Sequence, residues 1–255
     1  NPLLKRKAFI WWNFPVSDYV RDRLLLGAVY GNGTDIDDDI SAFISNPMEH
    51  AEASKIALFS IADYAWNMDA YKSDASWRRA VRYLMPGHAA ALQVFASHNS
   101  DLGGNEHDFR REESEQIRPA LERLLDAYCC EGKREVAAAS AVTEECERMI
   151  ASADLLLASD ENPALIKEIT PWLMQFKLLG EYGREVLCML AAQCDGKKTE
   201  LEKAASHAKA LQVLMKKIDA TYNQNGFQPG VKTGSCHLKP AFDRLYQEVV
   251  QRTGK

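Results

Sequence analysis

A chain of 255 residues, 46% hydrophobic and 26% charged, is long enough for one large core or two smaller ones. Its net charge of −5 and the lack of any basic block exclude a nucleic-acid footprint. With no run of about 18 apolar residues, a membrane-spanning helix is excluded as well.

The chain begins Asn1-Pro2-Leu3-Leu4-Lys5-Arg6-Lys7, without Met, and runs straight into an apolar segment. The expectation is a fragment whose front part is missing. Lys7 to Asn13 reads as one buried strand, rich in aromatic side chains and ended by Pro15. Polar groups just past such a strand's C-terminal end stand where parallel α/β architectures place their ligands. Ser17 is the candidate cap of a short helix over 18–26, with Gly27 past its end. Residues 27–50 read as a long loop with a short helix from Asp35. The lone strand needs partners for its backbone groups, and none is evident, which again points to a fragment.

From Ala51 the hydrophobic period becomes helical. Ile56, Phe59, Ala62 and Trp66 form one stripe. Trp77, Val81 and Leu84 begin a second helix, stopped at Pro86-Gly87, and His88 to Phe95 makes a third. Further stripes run through Ile117 to Tyr128, Val142 to Ala153, Asn162 to Gln193, Leu201 to Ile218 and Phe242 to Val250. Pro171 either kinks the Asn162–Gln193 segment or starts a new helix capped by Thr170. Short connections between long amphipathic helices predict antiparallel neighbours in a bundle. The fold class is therefore mainly α, with a strand at the front.

Metal chemistry finds little support. Cys129, Cys130, Cys146, Cys188, Cys194 and Cys236 lack zinc-knuckle spacing and read mostly as reduced, buried side chains. The His98–Asp108 loop misses the ligand pattern of a calcium loop, since Arg110 stands where the closing Glu is needed. Six scattered histidines give no helical zinc pair, and no nucleophile elbow is present. The acidic run Asp35-Ile36-Asp37-Asp38-Asp39 suggests a carboxylate pair but reads better as a solvated helix start. Trp11 and Trp12 face opposite sides of their strand, so both are core or one lines a pocket. Asn13 and Asp18 have the chemistry to bind sugar hydroxyls, an amide that donates and accepts and a carboxylate that accepts twice. For Asp18 the alternative is a first-turn helix acid.

The block Trp11-Trp12-Asn13-Phe14-Pro15-Val16-Ser17-Asp18-Tyr19 closely resembles glycoside hydrolase family 84, bacterial relatives of eukaryotic O-GlcNAcase. The likeness continues through Leu24–Gly27, Tyr30–Asn32, Asn46–Glu52, His98–Gly103, Arg110–Ser114, Glu168–Trp172 and Gln228–Lys232, nearly the whole chain. It implies that residues 1–66 are the end of a catalytic (β/α)8 barrel and residues 67–255 the helical bundle that follows it. It implies a retaining exo-β-N-acetylglucosaminidase in which the substrate's acetamido oxygen attacks the anomeric carbon. The Asp pair that assists has no match here, so no catalytic residue is expected in this chain, nor any cofactor or metal. By resemblance Trp11 walls the sugar pocket, Asn13 and Asn46 bind the sugar, and Asp18 takes its 4- and 6-hydroxyls. The implied partners are an N-acetylglucosamine-containing glycan or glycoprotein and the N-terminal remainder of the enzyme. The implied location is periplasmic, cell-surface or secreted. A hyaluronidase-type hexosaminidase and a non-catalytic helical interaction module remain as alternatives.

Overall fold

The computed structural model describes residues 3, 5–100 and 111–253. Two strands, β1 (Ala8–Trp12) and β2 (Ile40–Ser45), precede the helices α1 (Ala51–Trp66), α2 (Ser73–Leu84), α3 (Ala89–Ser97) and α4 (Arg118–Leu125). Four more helices follow: α5 (Val136–Leu157), α6 (Pro163–Cys194), α7 (Lys198–Thr221) and α8 (Leu238–Thr253). The fold is mainly helical, as the periodicity predicts. Among the described residues no helix is long and apolar enough to cross a membrane, and no His, Cys, Asp and Glu cluster is suited to a metal. Most of the polar loop 98–108 lies outside the described residues.

Helix α6 is the axis of the bundle, lying against α5, α7, α8 and α1. Neighbours on several sides explain why its buried residues wrap round it, from Leu165 and Ile169 through Phe176 to Leu190. Asn162 caps it by accepting from the Leu165 N–H, and Pro163 occupies the first turn. The helix passes through Pro171 without ending, and the Thr170 hydroxyl donates to the Ile166 carbonyl instead of capping a new helix. A proline costs a helix interior about 3 kcal/mol, here offset by burial of Trp172 and Leu173 beside it. On Gly183 a Cβ would stand 2.5 Å from the Phe242 ring and 2.8 Å from Cys146 Sγ. The missing side chain lets α6 meet α5 and α8 closely.

The front of the chain departs from four expectations. β1 has a partner: it pairs in parallel with β2, with Trp11 opposite Ile44 and Trp12 opposite Ser45. The Asp35 helix is absent. Residues 36–39 turn instead, Asp39 N–H donating to Ile36 O, and deliver the chain to β2. The solvated reading of the acidic run stands, with Asp35, Asp37, Asp38 and Asp39 all exposed. The 18–26 helix is also absent, replaced by turns in which Val20 N–H bonds Ser17 O and Arg23 N–H bonds Val20 O. The reason lies in Leu24, Leu25 and Leu26, which are consecutive and all buried. A helix cannot point three consecutive side chains at one core. Finally, β1 is not buried on both faces, since Phe9 is 57% and Trp11 65% exposed. Only the Trp12 face is covered, by Phe43, Phe14 and Tyr64 with ring centroids 5.5, 6.0 and 6.1 Å away.

A segment of turns with buried leucines must find partners for its backbone groups. The helices and the links between them supply them. Trp77 Nε1 donates to Leu26 O at 2.8 Å, Tyr71 OH to Val29 O at 2.7 Å, and Val29 N–H to Ser60 Oγ at 3.0 Å. Trp172 Nε1 donates to Asp22 O at 2.9 Å, while Lys232 Nζ pairs with the Asp22 carboxylate at 2.7 Å. Asn223 Nδ2 donates to Arg21 O, and Gln228 Oε1 accepts from Arg21 N–H. Residues 20–29 are thus fastened to α1, α2, α6 and the links that follow α1 and α7.

All six cysteines are free thiols. Only Cys146 is fully buried, and Cys130, Cys188 and Cys194 are exposed. The expectation of mostly buried cysteines is therefore corrected: exposed helix faces in α6 and the turn after α4 carry three of the six.

Candidate functional site

The C-terminal ends of β1 and β2 stand side by side because the pair is parallel. This places Trp11, Asn13 and Asn46 at one edge. Trp11 Nε1 donates to Asn13 Oδ1 at 3.0 Å, and Asn46 Nδ2 donates to the same oxygen at 3.3 Å. Asn46 N–H bonds Trp12 O at 2.9 Å, continuing the ladder one step past the strands. Ser45 Oγ donates to Phe14 O at 2.7 Å, which ties the cis Phe14–Pro15 turn to β2. Two donors on one oxygen fix the Asn13 amide orientation. Trp11, its indole N–H held and its ring 65% exposed, offers an apolar face to a ligand. The core reading of Trp11 therefore fails in this chain, whereas Trp12 is the core-side residue of the pair.

Asp18 lies five residues beyond Asn13, on the turn that replaces the expected helix. It is exposed, and its carboxylate forms no hydrogen bond or ion pair with another described residue. The helix-acid alternative is removed along with the helix. Asp18 is not hydrogen-bonded to the Trp11–Asn13–Asn46 group, so three of the four candidate residues are joined directly and the fourth stands apart.

A second polar centre is internal. His98 Nε2 lies 2.7 Å from Glu145 Oε1 and its Nδ1 2.8 Å from Ser114 Oγ. Arg148 pairs with the other Glu145 oxygen. Burial, and secondarily the Arg148 charge, push the His98 pKa down to about 3, so the ring is neutral. A carboxylate only accepts, so Nε2 carries the proton and Nδ1 accepts from the serine. Ser114 is 2% exposed, and its hydroxyl is engaged by the His98 ring. The group links the end of α3, the turn before α4 and α5.

Glu113, next to it, is buried and accepts from Cys236 N–H at 3.0 Å. Burial pushes its pKa up to about 7, with the Cys236 amide and Arg23 acting in the opposite sense. A carboxyl whose folded pKa is raised contributes stability that is full below about 4.5 and is lost as pH rises through about 7. Glu113→Gln removes this dependence. The melting temperature of the variant relative to the parent should rise from pH 5 to pH 8, and a constant difference across that range would count against the assignment.

Sequence reasoning missed β2 and with it Ser45, because six residues with three polar or small side chains carry little strand signal. It also missed Glu168. The carboxylate of Glu168, on α6, accepts from the N–H groups of Ala53 at 2.7 Å and Glu52 at 3.3 Å. A helix N-terminus usually receives its cap from the residue just before it, but His50 makes no side-chain cap. Nothing in local spacing announces a cap delivered from over a hundred residues away.

Two family models match the chain. One, described as the post-catalytic domain of bacterial GH84, covers residues 113–246, and one described as beta-N-acetylglucosaminidase covers residues 1–97. Among solved structures, CpGH84D is 27% identical with a TM-score of 0.83 over 97% of this chain and 41% of its own. CpGH84B is 24% identical with a TM-score of 0.83 over 96% of this chain and 40% of its own. An O-GlcNAc hydrolase of Thermobaculum terrenum is 20% identical with a TM-score of 0.74 over 99% and 52%. The chain thus spans between two fifths and about half the length of these structures.

Proposed function

The chain belongs to glycoside hydrolase family 84, and from that premise we propose that it forms the C-terminal part of a retaining exo-β-N-acetylglucosaminidase. In this reading residues 1–66 complete a catalytic (β/α)8 barrel, contributing two parallel strands and the helix after them. Residues 67–255 form the bundle that supports it. The observation that carries the reading is the hydrogen-bonded group Trp11, Asn13 and Asn46 at the C-terminal ends of parallel strands, with the Trp11 ring open to solvent. Ligand sites of parallel α/β folds lie at that end of the sheet. An indole face suits the C–H surface of a pyranose or an acetyl methyl, and the amides and the Asp18 carboxylate suit its hydroxyls.

The proposed reaction is substrate-assisted. The acetamido oxygen of the bound N-acetylglucosamine displaces the aglycone, giving an oxazoline that water opens with overall retention. Such enzymes depart from the two-carboxylate retaining scheme. The acid–base carboxylates are proposed to lie in sequence outside this chain, whose own role is to grip and orient the sugar. The partners are then a glycan or glycoprotein ending in N-acetylglucosamine and the remainder of the barrel, at a periplasmic, surface or secreted location. No cofactor is needed.

The test is an assay on a chromogenic N-acetylglucosaminide. The enzyme containing this chain should release chromophore with retention, and the 255-residue chain alone should release none. Hyaluronan fragments run in parallel separate a hyaluronidase-type specificity. An active 255-residue chain would overturn the division of labour, and an inactive full enzyme would favour a helical interaction module.

A further inference from the structure

The candidate sugar-binding edge is held from behind by one face of α6. Glu168 and Trp172, one helical turn apart, each fasten a different segment of the edge. Trp172 Nε1 bonds Asp22 O, four residues after Asp18. Glu168 accepts from two N–H groups in the first turn of α1, five residues after Asn46. The intervening segment is short: Pro47, then Met48, which is buried and whose sulfur accepts from Leu25 N–H, then Glu49 and His50. The His50 ring packs on Trp172, centroids 4.9 Å apart. Asn46 is thus anchored on the β side by its own bond to Trp12 O and on the α side by the start of α1.

The first turn of a helix carries orphan N–H groups and the positive end of the dipole. With no side-chain cap from His50, the Glu168 carboxylate takes up the Glu52 and Ala53 N–H groups, beside the bonds that Ser54 N–H and Oγ make to His50 O. We propose that Glu168 is a positioning residue for sugar binding: through the first turn of α1 it holds Asn46 in register with Asn13. This rests on the sugar-binding reading of Asn46 given above. It gives the bundle a task in the chemistry of the barrel edge, carried by one side chain that touches no substrate.

Without Glu168 the turn frays, Asn46 samples other positions, and ground-state and transition-state contacts to its sugar hydroxyl weaken together. The expected signature is a raised KM with kcat nearly unchanged. The experiment uses the full enzyme and a chromogenic N-acetylglucosaminide, with Glu168→Ala, Glu168→Gln, Asn46→Ala and the double variant Glu168→Ala with Asn46→Ala. Glu168→Ala should raise KM roughly fivefold to tenfold, the scale of a lost cap. Glu168→Gln, which keeps an acceptor, should recover much of that. In the Asn46→Ala background Glu168→Ala should add little, because the residue it positions is gone. Additive effects on kcat/KM, or a Glu168→Ala enzyme with unchanged KM, overturn the positioning role while leaving the sugar-binding reading intact. An Asn46→Ala enzyme with unchanged kcat/KM overturns the reading itself and the proposal with it. Should Glu168→Ala fail to fold, Glu168→Asp, whose shorter side chain draws the carboxylate back from both N–H groups, carries the same cycle.

Discussion

Asp18→Ala in the full enzyme should lower kcat/KM on an N-acetylglucosaminide by about 2–4 kcal/mol of transition-state binding, roughly 30-fold to 1,000-fold. The expectation follows from exposure and from what the carboxylate lacks. It stands in solvent on a turn, without a hydrogen bond or ion pair to another described residue. A carboxylate left open in this way is available to a ligand, and two sugar hydroxyls can donate to it at once. Because the side chain holds nothing in the fold, thermal unfolding should hardly change, in keeping with surface substitutions of within about 0.5 kcal/mol. Asp18→Asn keeps an acceptor but loses the charge and should fall between parent and alanine. A wild-type kcat/KM for Asp18→Ala would remove Asp18 from the site. A large loss of melting temperature would instead make it a structural residue of the 13–29 turn.

The helices were legible because each has a long apolar stripe at one period, and stripes such as Leu201, Ala204 and Ala208 or Val142, Cys146 and Met149 need only one covered face. The front was legible only in part. β1 announces itself through Phe9-Ile10-Trp11-Trp12, but β2 exists because β1 is there to pair with it. The helix expected over 18–26 had a cap signal at Ser17 and a stop at Gly27. Tertiary burial of Leu24, Leu25 and Leu26 won over that local signal. Of the proposed binding residues, Asn13 and Asp18 carry readable chemistry as side-chain types. Asn46 came only from resemblance, and its place opposite Asn13 depends on a strand the sequence does not show.

Much of the resemblance beyond the first block turns out to have a common physical basis. Leu24–Gly27, Asn46–Glu52, Glu168–Trp172 and Gln228–Lys232 are far apart in sequence, yet they meet along the seam between the strands and the bundle. Leu26 is bonded by Trp77 and by Asn99, Met48 by Leu25, Ala53 by Glu168, and Asp22 by Trp172 and Lys232. On Gly27 a Cβ would stand 2.8 Å from Ser100 O, so this stretch also needs a residue without a side chain. Asn46 apart, the bonds these segments make fasten the seam. A seam bonded at so many points makes independent motion of the two regions costly, and substitutions deep in the bundle should be felt at the strand end.

A large effect on stability is expected at Phe176, on α6 one turn beyond Trp172. Phe176→Ala should destabilise the chain by about 3–5 kcal/mol, the range for emptying a buried aromatic site. Phe176 is fully buried and meets the Phe95 ring edge to face at 5.3 Å and the His98 ring at 5.6 Å. Helices surround it, so the site cannot collapse without moving α3 or α5, and most of the cavity should persist. Its wall would include the neutral His98 ring. Hydration there weakens the burial that holds the His98 pKa near 3. A histidine with a lowered folded pKa makes the protein less stable as pH falls from its ordinary value of 6.5 toward that lowered one. In Phe176→Ala the His98 pKa rises, so melting temperature should decline less steeply with acid over that interval even as it starts lower. Phe176→Leu, which refills most of the volume, should cost less and keep the steeper slope. Urea titration at neutral pH measures the first effect and melting temperature against pH the second. A loss under about 1.5 kcal/mol would mean that the helices close over the gap, and an unchanged acid slope would mean that His98 stays dry without the ring beside it.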